Sequence, residues 1–248
     1  MPSTTPESSS PREGSSRLTI AEHLEELRRR LGICLAAVLA GSAGSFAFCD
    51  RIVEWLKRPA GPYLRTFAFF SPTEALLAYT KIIVLSGCVL ALPVVLSQVW
   101  AFVRPALTGR ERWYGAWFVG WGSALFVLGG AFAYGVCLPM FLKFLLSVGS
   151  PYLEPVISIN QYLSFVTSII LICGVVFQLP LVILFFTRIG LLSPEALRRY
   201  RSLALLGMLI VAAIATPTTD AISLILVTIP MVVLYEAGII LSRVSRGR

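Results

Sequence analysis

Five long charge-free stretches constrain the fold of this chain more than any other feature of its sequence. Each stretch has about the length of one membrane-spanning helix, which requires roughly 20 apolar residues. A sixth stretch, Ala221 to Ser242, is interrupted only by Glu236. The sequence therefore predicts an integral membrane protein with six transmembrane helices. The charge-free stretches are Leu31 to Cys49, Ile82 to Val103, Trp113 to Leu142, Pro155 to Thr187 and Ser202 to Thr219.

The overall composition agrees with a membrane location. Hydrophobic residues make up 56% of the 248 positions and charged residues only 14%, whereas a soluble domain carries about 25% charged residues. No run of about ten residues alternates with the period of a β-strand, which argues against a transmembrane barrel. The predicted fold class is therefore an all-α integral membrane protein.

The remaining residues offer little for metal or cofactor chemistry. The five cysteines show no CxxC or similar ligand spacing and lie in or at the ends of apolar stretches, so we expect them to be buried and inert. His23 is the only histidine, which argues against a zinc site or a histidine relay, and no nucleotide-binding fingerprint is present. We therefore expect no cofactor, no metal and no enzymatic activity.

The distribution of basic residues predicts the orientation of the chain. If the amino end is cytoplasmic, fifteen of the 21 lysines and arginines fall on the cytoplasmic side of six spans and six fall on the other side. Basic residues are enriched in cytoplasmic segments of membrane proteins, so both termini are predicted to be cytoplasmic. This bias also explains the net charge of +8 without a nucleic-acid partner.

The domain organisation follows from the same pattern. Residues 1–18 are rich in Ser, Pro and Thr and lack the apolar core of a signal peptide, so they are predicted to form a disordered cytoplasmic tail. One membrane domain is expected over residues 19–246, followed by a short cytoplasmic end at 247–248. Prolines in or near several spans predict bent helices. The predicted spans cover about 31–49, 76–103, 113–140, 160–187, 202–218 and 221–241.

Charged residues crowd into the segment just before the first apolar stretch. Thr19 and Glu22 have the spacing of a capping box, which predicts the start of a helix. Glu26 and Arg30 are four residues apart and can pair on one helix face. Helix capping and membrane orientation account for these charges without any ligand. The alternative is that Glu26 faces a cationic partner, together with Glu111 from the next cytoplasmic loop.

Several ordered segments resemble the TatC family, the multispanning receptor subunit of the twin-arginine protein translocase. The resemblance covers residues 19 to 246, and several segments in the expected order are far more specific than one motif. The segments include "HLEELRRRL" at 23–31, "SPTEALLAYTK" at 71–81 and "PVVLSQVWAFVRPALTGRER" at 93–112, followed by "YLSFVTSIILICGVVFQLPLVI", "GLLSPEALRRYR" and "TPTTDAISLILVTIPMVVLYEAGIILSR".

This resemblance implies both a fold and a function. The implied fold is a curved, cupped bundle of six helices in the cytoplasmic (inner) membrane. The implied function is recognition of signal peptides that carry paired arginines on folded cargo proteins, with export driven by the proton-motive force. The implied partners are these peptides and cargo, the single-span subunits TatA or TatB, further copies of the same chain, and membrane lipid.

The resemblance also assigns candidate binding residues at the cytoplasmic face. Glu26 and Glu111 match the two acidic recognition positions of the family. Carboxylates suit this task because they accept forked hydrogen bonds from planar guanidinium groups. Arg28 and Phe102 match further positions of the same patch, where Arg28 is expected to orient the glutamates and Phe102 to offer an aromatic surface.

Other matched positions lie elsewhere in the chain. Pro59 matches a sensitive position of the first outer loop, and Asp220 matches an acidic residue at the outer turn before the last span. An ordinary turn or helix-cap role for Asp220 remains open. Thr216 matches a position that is associated with docking of the single-span subunits. Glu236, near the inner end of the last span, is expected to play a structural role and to pair with Arg243.

Two positions depart from the family pattern. Gln178 in "FQLP" stands where the family commonly has a glutamate, so a titratable group is missing from the fourth span. Leu224 replaces a glutamine that is common four residues after the matched aspartate, which affects the expected docking of the partner subunits.

Two other function classes fit the sequence less well than a receptor does. A small-solute secondary transporter usually has ionisable residues near the membrane midplane and repeated halves, whereas here Gln178 is the one strongly polar midplane candidate and no repeat is visible. An intramembrane hydrolase needs a nucleophile with a base, or paired acids. Asp220 and Glu236 are about 24 Å apart along one helix and cannot form such a pair.

Overall fold

The computed structural model describes residues 20–61, 67–68, 70–103, 115–147, 156–215 and 221–246. Nearly all of these residues are helical, as expected. A 3₁₀ turn (Arg58–Ala60) follows the second helix, and a π-helical turn (Ala133–Cys137) joins the fourth helix to the fifth. The helices are α1 (Ile20–Phe46), α2 (Cys49–Lys57), α3 (Pro72–Val103), α4 (Gly115–Phe132), α5 (Leu138–Ser147), α6 (Ile159–Val176), α7 (Leu179–Arg188), α8 (Pro194–Arg199), α9 (Arg201–Ala215) and α10 (Ala221–Arg246).

Four helical segments of the described chain are long and apolar enough to cross a membrane. A fifth candidate is formed by α1 and α2 together, with a bend of 81° between them. Helix α9 is apolar but shorter than a usual span, so a total of six spans remains a prediction. The four segments are Pro72–Val103, Gly115–Leu145, Ile159–Arg188 and Leu224–Arg243.

Large apolar side chains cover the outside of the bundle. Leu31 on α1, Leu90 on α3 and Ile214 on α9 expose 67%, 62% and 81% of their surface, respectively. A soluble helical bundle turns such residues inward, whereas hydrocarbon chains solvate them in a bilayer. These surfaces confirm the prediction of a membrane protein.

The core of the bundle forms two clusters. The larger cluster lies where α6, α7, α9 and α10 meet, and includes Cys173, Ile183, Met208 and Met231. The smaller cluster packs α2 against α3, α5 and α6 through Leu56, Ile82 and their neighbours. The short helix α2 is therefore an integral cap of the bundle at the end opposite to the start of α1.

Helices α1 and α3 cross at very close range. A Cβ atom built on Gly87 of α3 would lie 2.6 Å from the backbone nitrogen of Ser42 and 2.8 Å from its Cα. A Cβ atom on Gly41 of α1 would lie 2.7 Å from the carbonyl oxygen of Gly87. Small residues at such crossings let two backbones approach closely inside a membrane. This crossing fixes the position of α1 along α3.

Tyrosine hydroxyls hold α2 on the bundle. The hydroxyl of Tyr162 donates to the carbonyl oxygen of Leu56, and that of Tyr134 donates to the carbonyl oxygen of Trp55, both at 2.8 Å. The last carbonyl groups of a helix lack partners within the helix. The Tyr162 hydroxyl supplies a donor to Leu56, and the Tyr134 hydroxyl is a second donor to Trp55, whose carbonyl also accepts from the backbone N–H of Arg58. The rings of Trp55 and Tyr134 also stack, with centroids 3.8 Å apart.

The predicted fourth span is divided into two helices. Helix α6 ends at Val176, the residues Phe177 and Gln178 form a turn, and α7 begins at Leu179. Pro180 lies in the first turn of α7, where its missing N–H group costs no helical hydrogen bond. Helix α7 then ends in a Schellman motif, in which Gly190 adopts a φ of 77° and Leu191 N–H bonds to the carbonyl of Phe186.

The structure corrects the expected partner of Glu236. Its Oε2 accepts a hydrogen bond from Nη2 of Arg201 at 2.6 Å, so the partner comes from the start of α9 and not from Arg243 on the same helix. The pair ties α9 to α10 near the carboxyl end of α10.

The charge-reversed double variant Arg201→Glu/Glu236→Arg is expected to recover most of the stability that either single reversal loses. Both side chains are more than a third exposed, so the ion pair contributes less than about 1 kcal/mol to the free energy of unfolding of the wild-type protein. Thermal unfolding of the four proteins in detergent measures the coupling. Additive losses in the double variant would show that the two side chains do not interact.

Candidate functional site

The start of α1 and the end of α3 together form a polar cluster. We call it the α1–α3 cluster, and it contains His23, Glu26, Arg30, Gln98 and Phe102. The α1 residues share one face because they are three and four positions apart, and the two α3 residues are four apart. The glycine crossing deeper in the bundle sets the two faces against each other.

Glu26 is bound within α1. Both Nε and Nη2 of Arg30 donate to the same carboxylate oxygen of Glu26, Oε1, and the Nε bond is 3.1 Å long. The side chain of Arg30 is 21% exposed and that of Glu26 is 27% exposed. No described residue bonds to the second oxygen, Oε2. The carboxylate is therefore oriented by one arginine and still accessible from outside.

Gln98 connects this ion pair to α3. Its Oε1 accepts a hydrogen bond from Nη1 of Arg30 at 3.4 Å, which is near the upper limit for such a bond. Arg30 thus bridges a carboxylate on its own helix and an amide on the neighbouring one. Gln98 was not predicted as a site residue, although it stands out as a polar residue in the apolar segment "VVLSQVWAFV".

An aromatic contact completes the cluster. The rings of His23 and Phe102 lie 4.5 Å apart between their centroids, with 30° between the ring planes. Phe102 is half-buried and lies one turn beyond Gln98 on α3. The contact places the Phe102 ring next to His23, which lies about one turn before Glu26 on α1, and the role of Phe102 in binding stays a prediction.

Arg28, which was predicted to orient the glutamates, does not bond to Glu26 in the structure. Arg28 is exposed, and no described residue forms a hydrogen bond or ion pair with it. Arg30 is the residue that bonds to Glu26. Glu111, Thr216 and Asp220 lie outside the described residues, so their positions relative to the cluster remain predictions.

The other two predicted positions lie away from the cluster. Pro59 is half-buried in the 3₁₀ turn after α2, at the opposite end of the bundle, and its neighbour Ala60 is fully buried.

Gln178 lies in the turn between α6 and α7, where its Nε2 donates to the carbonyl oxygen of Gly122 on α4 at 2.8 Å. An ionised glutamate could not donate this bond. The glutamine therefore joins the broken helix to α4.

An apolar groove lies on the other side of α3. It encloses about 500 Å³ between α3, α4, α7 and α10, and its walls are mostly tryptophan, phenylalanine and leucine side chains. Arg188 is the one charged residue among those that line it. The groove thus lacks the paired acids or the nucleophile and base that catalysis requires. The described residues also contain no group of His, Cys, Asp or Glu that could hold a metal ion.

Comparison with protein families identifies one match over most of the chain. Residues 22–230 match the family model of the Sec-independent protein translocase protein (TatC). TatC of Carboxydothermus hydrogenoformans is 34% identical over 226 residues, which cover 91% of this chain and 93% of that protein. TatCd of Bacillus subtilis is 36% identical over 220 residues, covering 89% of each chain.

Solved structures agree with the sequence relatives. A crystal structure of the twin-arginine translocase receptor TatC superposes with a TM-score of 0.80 at 34% identity, covering 91% of this chain and all of the other. A second crystal structure of this receptor, in DDM, gives a TM-score of 0.81 at 36% identity and covers 89% of this chain. The arrangement of helices described above is therefore similar to that of both receptors.

Proposed function

This chain belongs to the TatC family, a non-enzymatic receptor component of the twin-arginine translocase, and from this premise we propose that its α1–α3 cluster binds the paired arginines of signal peptides. The observation that carries the proposal is the Glu26 carboxylate, which already binds one guanidinium group, has a side chain that is 27% exposed, and has a second oxygen to which no described residue bonds. A small-solute transporter has no support from the family or from the fold.

The chemistry of the cluster suits a cationic, planar ligand. A carboxylate accepts two parallel hydrogen bonds from one guanidinium group but only a single-point contact from a lysine ammonium group. Glu26 offers such a carboxylate, and Phe102 adds an aromatic face on which a guanidinium can stack. Glu111 supplies the second carboxylate in this proposal, one for each arginine of the peptide.

The proposed orientation places the cluster at the cytoplasmic face of the inner membrane, with both termini cytoplasmic. The bias of basic residues supports this orientation. Cargo proteins would then be recognised before export, and the proton-motive force would drive their transport. Pro59 and Asp220 would face the opposite side, Thr216 would contact a TatA- or TatB-type subunit, and several copies of the chain would assemble.

Glu26→Gln and Glu111→Gln are each expected to weaken binding of a twin-arginine peptide by about five- to tenfold, because a charge-assisted hydrogen bond is replaced by a neutral one. The measurement is equilibrium binding of a fluorescent twin-arginine signal peptide to the purified protein in detergent or nanodiscs. Replacement of both peptide arginines by lysine is expected to cause a similar loss in wild type.

Glu25→Gln provides the control. Glu25 is an exposed carboxylate next to Glu26 on α1, so its removal changes the net charge equally. Membrane insertion must stay unchanged in all variants, and the loss of stability in Glu26→Gln must not exceed that of one partly exposed ion pair, about 1 kcal/mol. If Glu26→Gln binds the twin-arginine peptide as tightly as wild type, or if Glu25→Gln causes the same loss, the cluster is not the recognition site.

A further inference from the structure

The Glu26 carboxylate already has a guanidinium partner from its own chain. Two nitrogens of Arg30 share Oε1 of Glu26, with the Nε bond at 3.1 Å. This contact has the same chemistry as the contact proposed for a peptide arginine. The ligand and Arg30 therefore require the same carboxylate oxygen whenever the ligand forms a two-oxygen fork.

The second carboxylate oxygen of Glu26, Oε2, gives the peptide a first point of contact. Glu26 is 27% exposed, and no described residue occupies Oε2. A peptide arginine or lysine can reach Oε2 while Arg30 stays in place. A second cation on one carboxylate is repelled by the first, so this initial contact is weak. Only release of Oε1 by Arg30 lets the incoming group use both oxygens.

Gln98 offers an acceptor for the displaced arginine. Its side-chain oxygen already lies 3.4 Å from Nη1 of Arg30. A small rotation of the Arg30 side chain would shorten this bond while the bonds to Glu26 break. Arg30 would then remain hydrogen-bonded, and its charge would move toward α3 and away from the incoming cation.

We propose that Arg30 occupies the Glu26 carboxylate until a peptide guanidinium displaces it, and that Gln98 then holds Arg30. The proposal rests on Glu26 as the peptide-binding residue. The cost of breaking the Arg30–Glu26 pair lowers the apparent affinity of any peptide that must displace Arg30. A peptide arginine that uses both oxygens must displace Arg30, whereas a lysine can contact Oε2 alone. Removal of Arg30 therefore raises the affinity for an arginine peptide, and raises that for a lysine peptide by the same factor at most.

The first test is Arg30→Gln, with binding measured for a twin-arginine peptide and for its twin-lysine counterpart. Affinity for the arginine peptide is expected to rise by about two- to fivefold, because binding no longer has to break a partly exposed ion pair. Affinity for the lysine peptide is expected to rise by the same factor or less, so the ratio between the two affinities stays the same or rises. An unchanged or lower affinity for the arginine peptide, or a fall in the ratio, would overturn the proposal.

Arg29→Gln is the matched control. Arg29 is the preceding residue and is exposed, and its replacement removes the same charge. Loss of general repulsion is expected to raise the affinity of both peptides by a smaller factor than the loss of Arg30 does. A rise for Arg29→Gln that is as large as for Arg30→Gln would assign the effect to net charge and contradict a specific role for Arg30.

Gln98→Leu tests the second half of the proposal. It removes the acceptor for Arg30, so binding of the arginine peptide is expected to weaken by about twofold to fivefold, as for loss of one hydrogen bond. In an Arg30→Gln background the same change is expected to have no effect, because no displaced arginine needs an acceptor. An equal loss in both backgrounds would show that Gln98 acts independently of Arg30.

Failure of this proposal can be told apart from failure of the proposed function. If Glu26→Gln does not weaken binding of the arginine peptide, Glu26 is not the receptor residue and both proposals are wrong. If Glu26→Gln weakens binding while Arg30→Gln raises the affinity for the arginine peptide no more than Arg29→Gln does, only the competition by Arg30 is wrong. Arg30→Lys, which keeps the charge but offers one nitrogen instead of two to Glu26, provides a second variant with the same expected direction as Arg30→Gln.

Discussion

Gly87→Val is expected to destabilise the protein by about 3 kcal/mol or more, the upper range for overpacking of a close contact. The added Cβ atom would lie 2.6 Å from the Ser42 nitrogen and 2.8 Å from its Cα. These neighbours are backbone atoms, which cannot rotate away as a side chain can. Helices α1 and α3 must therefore separate, and the α1–α3 cluster separates with them.

The measurement is thermal unfolding in detergent, together with binding of the twin-arginine peptide. Gly44→Val is the matched control, because Gly44 lies on α1 and a Cβ atom there meets nothing within 4 Å. We expect Gly44→Val to unfold and bind like wild type. If the two variants lose the same stability, the loss comes from valine within a helix and not from the helix crossing.

Tyr134→Phe/Tyr162→Phe is expected to destabilise the cap formed by α2 by about 1–3 kcal/mol, because the Leu56 carbonyl loses its hydroxyl donor and the Trp55 carbonyl keeps only the backbone N–H of Arg58. Tyr162 contributes the larger part, since it is only 3% exposed and water cannot replace its hydroxyl group. The two rings remain in place, so the apolar packing around them is preserved. Hydrogen exchange of the α2 amides and thermal unfolding measure the effect.

Tyr200→Phe is the control for this pair. Tyr200 is 56% exposed, and its hydroxyl makes no hydrogen bond to a described residue. Its replacement is expected to change neither unfolding nor exchange in α2. If the α2 amides of the double variant exchange hydrogen as slowly as those of wild type, the two hydroxyls do not hold the cap.

The sequence predicts the helical framework well because apolar length is a strong local signal. Segments such as 76–103 and 160–187 fall within helical regions of the structure. The breaks inside those regions are harder to predict. The turn at Phe177 and Gln178 precedes Pro180 by only two or three residues, and a proline predicts a kink but not the residue at which the helix ends.

Local spacing also predicts part of the candidate site. Glu26 and Arg30 are four residues apart on one helix, and the structure pairs them. The contacts of Arg30 with Gln98 and of His23 with Phe102 join residues that are 68 and 79 positions apart. Such contacts depend on how α1 and α3 cross, and helical periodicity alone does not specify that crossing.

The partner of Glu236 illustrates the same limit. Arg243 is seven residues away on the same helix and is the nearest cation along the chain in that direction. Arg201 is 35 residues away but begins the adjacent helix α9, and the packing of α9 on α10 brings it within hydrogen-bonding distance. The sequence predicted that this charge needs a partner, and the tertiary structure decides which one.

The close crossing of α1 and α3 also determines how sensitive the cluster is to the angle between the two helices. Gln98 lies about 16 Å beyond Gly87 along α3, at 1.5 Å per residue. A change of about 5° in the angle between the helices at this crossing would move Gln98 relative to Arg30 by about 1.4 Å. Small changes in the crossing angle are thus enough to break a hydrogen bond that is already 3.4 Å long.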